Sequence, residues 1–331
     1  MNRWLVGGLL GLAGGAAWGY AAKVERARVV LDRFAVSVAA RGLPPEGLTI
    51  LHLSDFHFVA QGSVQARKIE RARALLAGAS YDVVALTGDL IHDSGGLRTA
   101  LDFIRTLRPR YGIYFVPGNH DYAEYTPWGV FGHTWRESTQ GGRLGLTDLA
   151  HAVRSLLDFA GKVVLNDLVR MPVRFNDVPA IIDALARIGV HSLVNTSAPL
   201  NIGGHEVWFA GVDDLTESKP DLAAALDHVP PGAPLVLLAH NPDAWLQCGV
   251  DRADLVLSGH THGGQIRLPL LGAIHTQGTH LRRRGSAGWF ERGRSRLFVS
   301  RGLGESIPLR FGARPQVALI TLRGPAEDQA G

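Results

Sequence analysis

Six short apolar runs, each closing on a polar cluster, govern what this chain can fold into. They are LTILHLSDFH (48–57), DVVALTGD (82–89), GIYFVPGNHD (112–121), EVWFAGVDD (206–214), PLVLLAHN (234–241) and DLVLSGHTH (254–262). Runs of this length, rich in β-branched residues and apolar throughout, read as strands buried on both faces. Amphipathic helical stretches separate the first three. In VQARKIERARALLAG (64–78) Ile69, Ala72, Leu75 and Leu76 share one face; in LRTALDFIRTL (97–107) Leu97, Leu101, Ile104 and Leu107 do. Strand, helix, strand in alternation gives an α/β sheet with helices packed on its faces. RLFVS (296–300) and QVALITL (316–322) read as strands completing a second sheet layer. In such sheets ligands gather outside the C-terminal strand ends, and every polar cluster falls there.

The clusters are Asp55-x-His57, Gly88-Asp89, Gly118-Asn119-His120-Asp121, His240 and Gly259-His260-Thr261-His262. Any one alone reads as a turn or an ordinary histidine. Five together, all with oxygen or nitrogen donors, form a constellation suited to metal. A shared carboxylate can bridge two cations about 3.5–4 Å apart, the spacing of two-metal hydrolases. Imidazole with carboxylate suits Mn, Fe or Zn, while the single cysteine, Cys248, excludes a thiolate site and an internal disulfide. Since strand side chains repeat every two residues, Asp55 and His57 are expected to point together, as are His260 and His262. Gly118 and Gly259 are expected to let the backbone turn sharply.

At these residues the chain resembles the calcineurin-like metallophosphoesterase superfamily, whose blocks read D-x-H, G-D, G-N-H-D/E, H and G-H-x-H. The resemblance covers roughly residues 45 to 323. HLSDFH, VPGNHDY, LLAHNPD, GHTHGGQ and the SRGLG…PLRF…P block (Ser300–Gly304, Pro308–Phe311, Pro315) are most similar to its membrane-linked branch, which includes UDP-2,3-diacylglucosamine pyrophosphatases and related envelope phosphoesterases. The fold implied is α/β, a two-layer β-sandwich flanked by helices around a βαβαβ core. The resemblance implies that Asp55, His57 and His262 hold one metal, Asn119, His240 and His260 a second, and that Asp89 bridges both. His120, oriented by Asp121, would protonate the leaving oxygen or stabilise charge at phosphorus, attacked in line by a metal-bound hydroxide. The implied activity is cleavage of a phosphoester or diphosphate bond with two divalent ions. Its substrate would be a phosphorylated small molecule or a lipid-linked diphosphate such as UDP-2,3-diacylglucosamine in lipid A synthesis. A broad-specificity envelope phosphodiesterase or phosphatase is the alternative. A non-catalytic metal-bound scaffold fits poorly with so complete a set of ligands.

Trp4 to Ala22 runs without a charge, close to the ~20 residues of a membrane-spanning helix. Gly7, Gly11, Gly15 and Gly19 share one face, and Trp4, Trp18 and Tyr20 lie near its ends. This favours an uncleaved single-pass transmembrane helix over a signal peptide cut near Ala21. Arg3 precedes the span, while Lys23, Arg26, Arg28 and Arg33 follow it, so a cytoplasmic catalytic domain is expected, export being the alternative. Net charge is +4 without a dense Lys/Arg block, so no nucleic-acid partner is expected; membrane and phosphate are. The expected organisation is an anchor (1–22), a linker and first strand region (23–44), the catalytic domain (45–323) with an insertion or cap at about 123–200, and a disordered tail (324–331). Tyr122, Tyr125, Trp128, Phe131 and Trp135 open that insertion, and 147–161 and 178–190 read helical. Arg301 and Arg310 are open to two readings, diphosphate contact or surface charge. Asp213–Asp214 reads as a turn cap or part of the site. His52, His92 and the other histidines read as structural or surface residues.

Overall fold

The computed structural model describes residues 15–125, 172–247, 249–281 and 283–325. Two six-stranded sheets are packed face to face. In spatial order, the first holds β1 (Val30–Ser37), β16 (Gln316–Arg323), β2 (Leu48–Leu53), β3 (Val83–Thr87), β4 (Gly112–Val116) and β7 (Val190–Ser192). Strands β2, β3, β4 and β7 run parallel; β16 is antiparallel to β2 and parallel to β1. The second holds β14 (Gly288–Arg292), β15 (Ser295–Val299), β11 (Leu255–Ser258), β10 (Leu235–Leu238), β9 (His205–Gly211) and β8 (Thr196–Ile202). Its four central strands are parallel and its edges antiparallel. Two two-stranded antiparallel sheets account for the other strands among the described residues, β5 (Ala123–Tyr125) with β6 (Pro172–Phe175), and β12 (Arg267–Leu268) with β13 (Gly272–Ala273).

Continuous apolar runs make sense in this arrangement because each strand serves two cores. Ile50, Ala85, Tyr114 and Val116 face Phe209, Val236, Leu238 and Phe298 between the sheets. Their neighbours Leu51, Val84, Leu86 and Phe115 point outward and are covered by α1 (Ser63–Leu76), α2 (Leu97–Ile104) and α4 (Val178–Ala186), while α3 (Asn119–Tyr122) is a single turn after β4. On the far side α5 (Leu222–Leu226) covers Leu237, Val256 and Leu297. Ile69, Ala72 and Leu76 of α1, and Ile104 of α2, pack inward as their helical spacing predicts.

All six runs form strands, and the polar clusters begin where the strands stop. QVALITL departs from expectation: it joins the first sheet, between β1 and β2. Its two faces are equally apolar, so alternation carries no signal of which sheet it enters. The expected insertion also narrows, since α4 packs Ile181 and Leu185 into the first sheet's outer core and β7 pairs with β4. Trp128, Phe131, Trp135 and the 147–161 stretch lie outside the described residues.

Most of the expected membrane span lies outside them too. No helix among the described residues is long and apolar enough to cross a membrane. Residues 15–24 are helical and dock on the domain: the Arg310 amide donates to the Ala21 carbonyl at 3.1 Å, and Tyr20 meets Phe311 edge-on at 6.4 Å.

Candidate metal centre

Three of the strands, β2, β3 and β11, deliver their polar clusters on unusual turns. Asp55, His57, Asp89, His260 and His262 adopt φ of 53, 46, 54, 68 and 52°. Left-handed backbone at a non-glycine residue costs about 1–3 kcal/mol and persists only where the surroundings impose it. Here the loops impose it on one another. The amides of Asp55 and His57 donate to the carbonyls of Gly88 and Asp89 at 3.0 and 2.9 Å, and Leu303 N–H donates to the Ser54 carbonyl at 3.0 Å. The His260 amide donates to Asp55 Oδ1 at 2.9 Å. Strand periodicity therefore does not aim these side chains, because Asp55 and His57 lie beyond the end of β2.

The two glycines also act differently from expectation. Gly118 is extended (φ −113°), and neither it nor Gly259 has a positive φ. Room is what they supply: a Cβ at Gly118 would lie 2.4 Å from Asp89 Oδ1, and one at Gly259 would lie 1.8 Å from Ser54 Oγ and 2.3 Å from Asp55 Oδ2. Gly259→Ala must therefore displace the Asp55 carboxylate. We expect it to lower phosphoesterase activity at least about tenfold, as small misplacements in catalytic geometry do, with normal expression. An unchanged rate and metal content would show that the loop yields freely.

The seven candidate ligands are buried and fall into two groups around one carboxylate. Ligand atoms of Asp55, His57, Asp89 and His262 lie within 4.8 Å of one another. Asp89 Oδ2 is 3.3 Å from His57 Nε2 and 3.3 Å from His240 Nε2, between the two groups. On the far side His260 Nδ1 lies 3.2 Å from His240 Nε2 and 3.0 Å from Asn119 Oδ1. His262 Nε2 instead lies 3.6 Å from Asp55 Oδ1 and 3.1 Å from His57 Nε2. The two histidines of the last block thus serve opposite flanks.

The donor set fits divalent cations. Asp55 Oδ2 is buried without a hydrogen-bond partner, a costly state that a cation relieves. The close nitrogen pair of His57 and His262 has room for one shared proton or for a positive ion ligated by both lone pairs. Electrostatics agree. Burial pushes the Asp89 carboxyl up, but His240 and His120 outweigh it and hold the group well below the usual carboxylate range. Burial, with His57 and Arg310 nearby, keeps His262 well below the usual imidazole value and so neutral. Burial lowers the His240 imidazole, but Asp89 lifts it to about 10 overall, so that carboxylate demands a positive partner.

Around this centre the other polar residues separate by task. His120 packs its ring 4.4 Å from His57 and 4.8 Å from Tyr125, and its amide donates to Asp89 Oδ1 at 2.8 Å. Asp121 fixes the loop that carries His120: Oδ1 accepts from the amides of Leu90 and Ile91 and Oδ2 from that of Gly118, at 2.9, 3.4 and 2.9 Å. Burial and the Asp89 charge raise the Asp121 carboxyl to about 7. Asp214 caps the turn after β9, taking the amides of Thr216 and Glu217 at 2.7 Å each. Asp213 accepts the Tyr122 hydroxyl at 2.6 Å and so ties α3 to that turn. His52 is structural as expected, bonded to Thr87 Oγ1 at 2.8 Å and lowered by burial to about 3.

Two residues were misjudged from sequence. His92, read as a structural or surface residue, lies at the edge of the centre: its ring stacks on that of His120 at 5.6 Å and tilts against that of His57 at 5.8 Å, and its only signal was its place just after Asp89 in GDLIHD. Arg310 is neither a surface charge nor open to a ligand: it is fully buried and donates to the carbonyls of Ala313, Arg301, Gly302 and Gly304. Arg301 is held by Asp32 at 2.8 Å. Beside His57 a cleft of about 390 Å³ opens, walled by Phe58, Val59, Val64 and Pro308. Its floor carries Lys68, Arg26 and the Glu305 carboxylate they share, and burial pushes Lys68 down to about 8 although Glu305 opposes this.

Comparison with known proteins agrees with this geometry. The calcineurin-like phosphoesterase family matches residues 48–264. The metallophosphoesterase YkuE of Bacillus subtilis is 24% identical over 316 residues, covering 94% of this chain and 92% of that protein. UDP-2,3-diacylglucosamine pyrophosphatase LpxG of Chlamydia trachomatis is 26% identical, covering 83% of each. A transmembrane protein with metallophosphoesterase domain from Bos taurus is 29% identical over 87% of this chain, which spans only 56% of that relative. The chain belongs to the calcineurin-like phosphoesterase family, hydrolases that use two divalent metal ions.

Proposed function

We propose that Asp55, His57 and His262 hold one cation, that Asn119, His240 and His260 hold the other, and that Asp89 is shared. The observation that carries this is Asp89 Oδ2 at 3.3 Å from both His57 and His240. When bound, the two ions supply Lewis acidity toward a phosphoryl oxygen and acidify water. The chain's own groups do the rest. Burial keeps the ligand carboxylates out of bulk water, in a setting of lower dielectric where opposite charges attract more strongly. His120, beside His57 and unused as a ligand in this assignment, delivers a proton to the leaving oxygen or offsets charge on the phosphoryl group. Asp121 holds the loop on which His120 stands.

The substrate proposed is a lipid-linked diphosphate such as UDP-2,3-diacylglucosamine, cleaved at its diphosphate bond. Similarity to LpxG over most of both chains supports it. So does the apolar-walled cleft beside His57, which offers room for a part of the substrate other than the phosphoryl group. In this reading residues 1–22 anchor the protein and residues 45–323 work at the cytoplasmic face of the membrane. Incubating the full-length protein and Mn²⁺ with UDP-2,3-diacylglucosamine should release UMP faster than it cleaves bis(p-nitrophenyl) phosphate. Cleavage of the diester without UMP release removes the lipid substrate and favours a broad phosphodiesterase. Cleavage of neither removes the metal-centre assignment.

A further inference from the structure

We propose that the β12–β13 hairpin, which follows the His260–His262 block, is a lipid-contact element whose tip enters the surface of an anionic bilayer. The tip is Leu268-Pro269-Leu270-Leu271. Leu270 is fully exposed and Leu271 is 66% exposed, the two adjacent leucines standing in water together. Leu270 also takes a φ of 68°, a conformation that glycine or asparagine adopts more readily. Folding thus gains little from leucine here, so the reason for it lies outside the domain.

Charge says what lies outside. Between Asp254 and Glu291 the sequence holds no acidic residue and four arginines, Arg267, Arg282, Arg283 and Arg284. The turn Arg283–Ser286 lies against β13, and Arg267 ties the hairpin to it by donating to Ser286 Oγ at 2.9 Å. An apolar tip in a stretch of sequence whose charges are all of one sign matches an anionic lipid surface, which takes up leucine and attracts arginine. The N-terminal segment arrives at the same place. The Phe311 amide donates to the Gln265 carbonyl at 2.9 Å, and its carbonyl accepts from Arg267 at 2.7 Å. On that same Phe311 ring Tyr20 rests edge-on, and Trp18, two residues earlier, is 63% exposed. Hairpin and N-terminal segment therefore meet at one residue and together offer the bilayer a two-part contact. The chain runs from His262 into this hairpin, so the contact sets the metal centre close to lipid. The inference rests on exposure and charge, whichever phosphoester is the substrate.

The test uses the full chain with Leu271→Cys in a Cys248→Ser background, a nitrobenzoxadiazole probe at position 271, and nanodiscs with or without phosphatidylglycerol. In discs containing phosphatidylglycerol the emission should shift to the blue and be quenched by doxyl-labelled lipid, while a probe at position 187 (Arg187→Cys) should not respond. The Leu270→Ser/Leu271→Ser variant should hydrolyse bis(p-nitrophenyl) phosphate at the parent rate, and its N-terminally cleaved form should bind phosphatidylglycerol vesicles about tenfold more weakly than the cleaved parent. A probe at 271 that stays water-exposed in both kinds of disc overturns the proposal. So does one already buried before lipid is added, which would assign the tip to a second copy of the chain. Neither outcome depends on UMP release.

Discussion

Asp89→Asn should reduce phosphoesterase activity by about three orders of magnitude while the protein remains folded, because the shared negative charge is lost and little else changes. Asparagine keeps the size of the side chain, and its oxygen can still accept the His120 amide, which meets Asp89 Oδ1 at 2.8 Å. What it cannot do is offer a carboxylate to two cations at once. Asp89 Oδ2 stands 3.3 Å from His57 on one side and 3.3 Å from His240 on the other. Both flanks should weaken together, so bound Mn²⁺ should fall below two per chain. Initial rates with saturating Mn²⁺, metal content after gel filtration and a thermal melt decide the matter. A variant that keeps parental activity with two metals bound would remove Asp89 from the shared position.

Arg310→Met should destabilise the protein by about 3–5 kcal/mol, the usual penalty for removing one side of a buried charge network. The Arg310 guanidinium is fully buried and gathers the loops that frame the centre. It donates to the carbonyls of Ala313 and Arg301 at 2.8 Å each and to that of His262 at 3.4 Å, and pairs with Glu305 at 3.5 Å. Methionine fills much of the space but leaves those carbonyls without donors. The melting temperature should drop by about 10 °C. Arg310→Lys should recover little, since an ammonium lacks the planar fork that reaches several carbonyls. Had Arg310 contacted a diphosphate, its loss would raise KM and leave the melt unchanged. Calorimetry and steady-state kinetics on the same preparation separate the two.

The contrast between Asp89 and Arg310 shows where sequence reasoning succeeds. Ligand identities are legible because metal chemistry restricts residue types, and strand ends restrict their location. Aim is not legible. Asp55-x-His57 looks like an extended pair, yet both residues sit in left-handed backbone that only the neighbouring loops explain. Arg310 fails for a related reason. An arginine in a glycine- and proline-rich loop resembles an exposed anion binder until the carbonyls of distant segments surround it. His92 is a lone histidine in sequence and a neighbour of His57 only once β2 and β3 lie side by side. Strand β16 is clearly a strand, but with apolar residues on both faces it could join either sheet.

The place of β16 also sets the order in which the protein can be completed. It lies between β1 and β2, with Thr321 hydrogen-bonded to Thr49 across 272 positions of sequence. Until β16 is made, the first sheet stays open between its two earliest strands, with apolar edges exposed. The loop before β16 props up the first polar cluster as well, through Leu303 on the Ser54 carbonyl and Gly304 on that of Asp55. Pairings this remote make folding slow. Assembly of the centre must therefore wait until β16 and the loop before it have been made, so the first polar cluster cannot take its final form, or capture an ion with the rest, while it is the newest part of the chain.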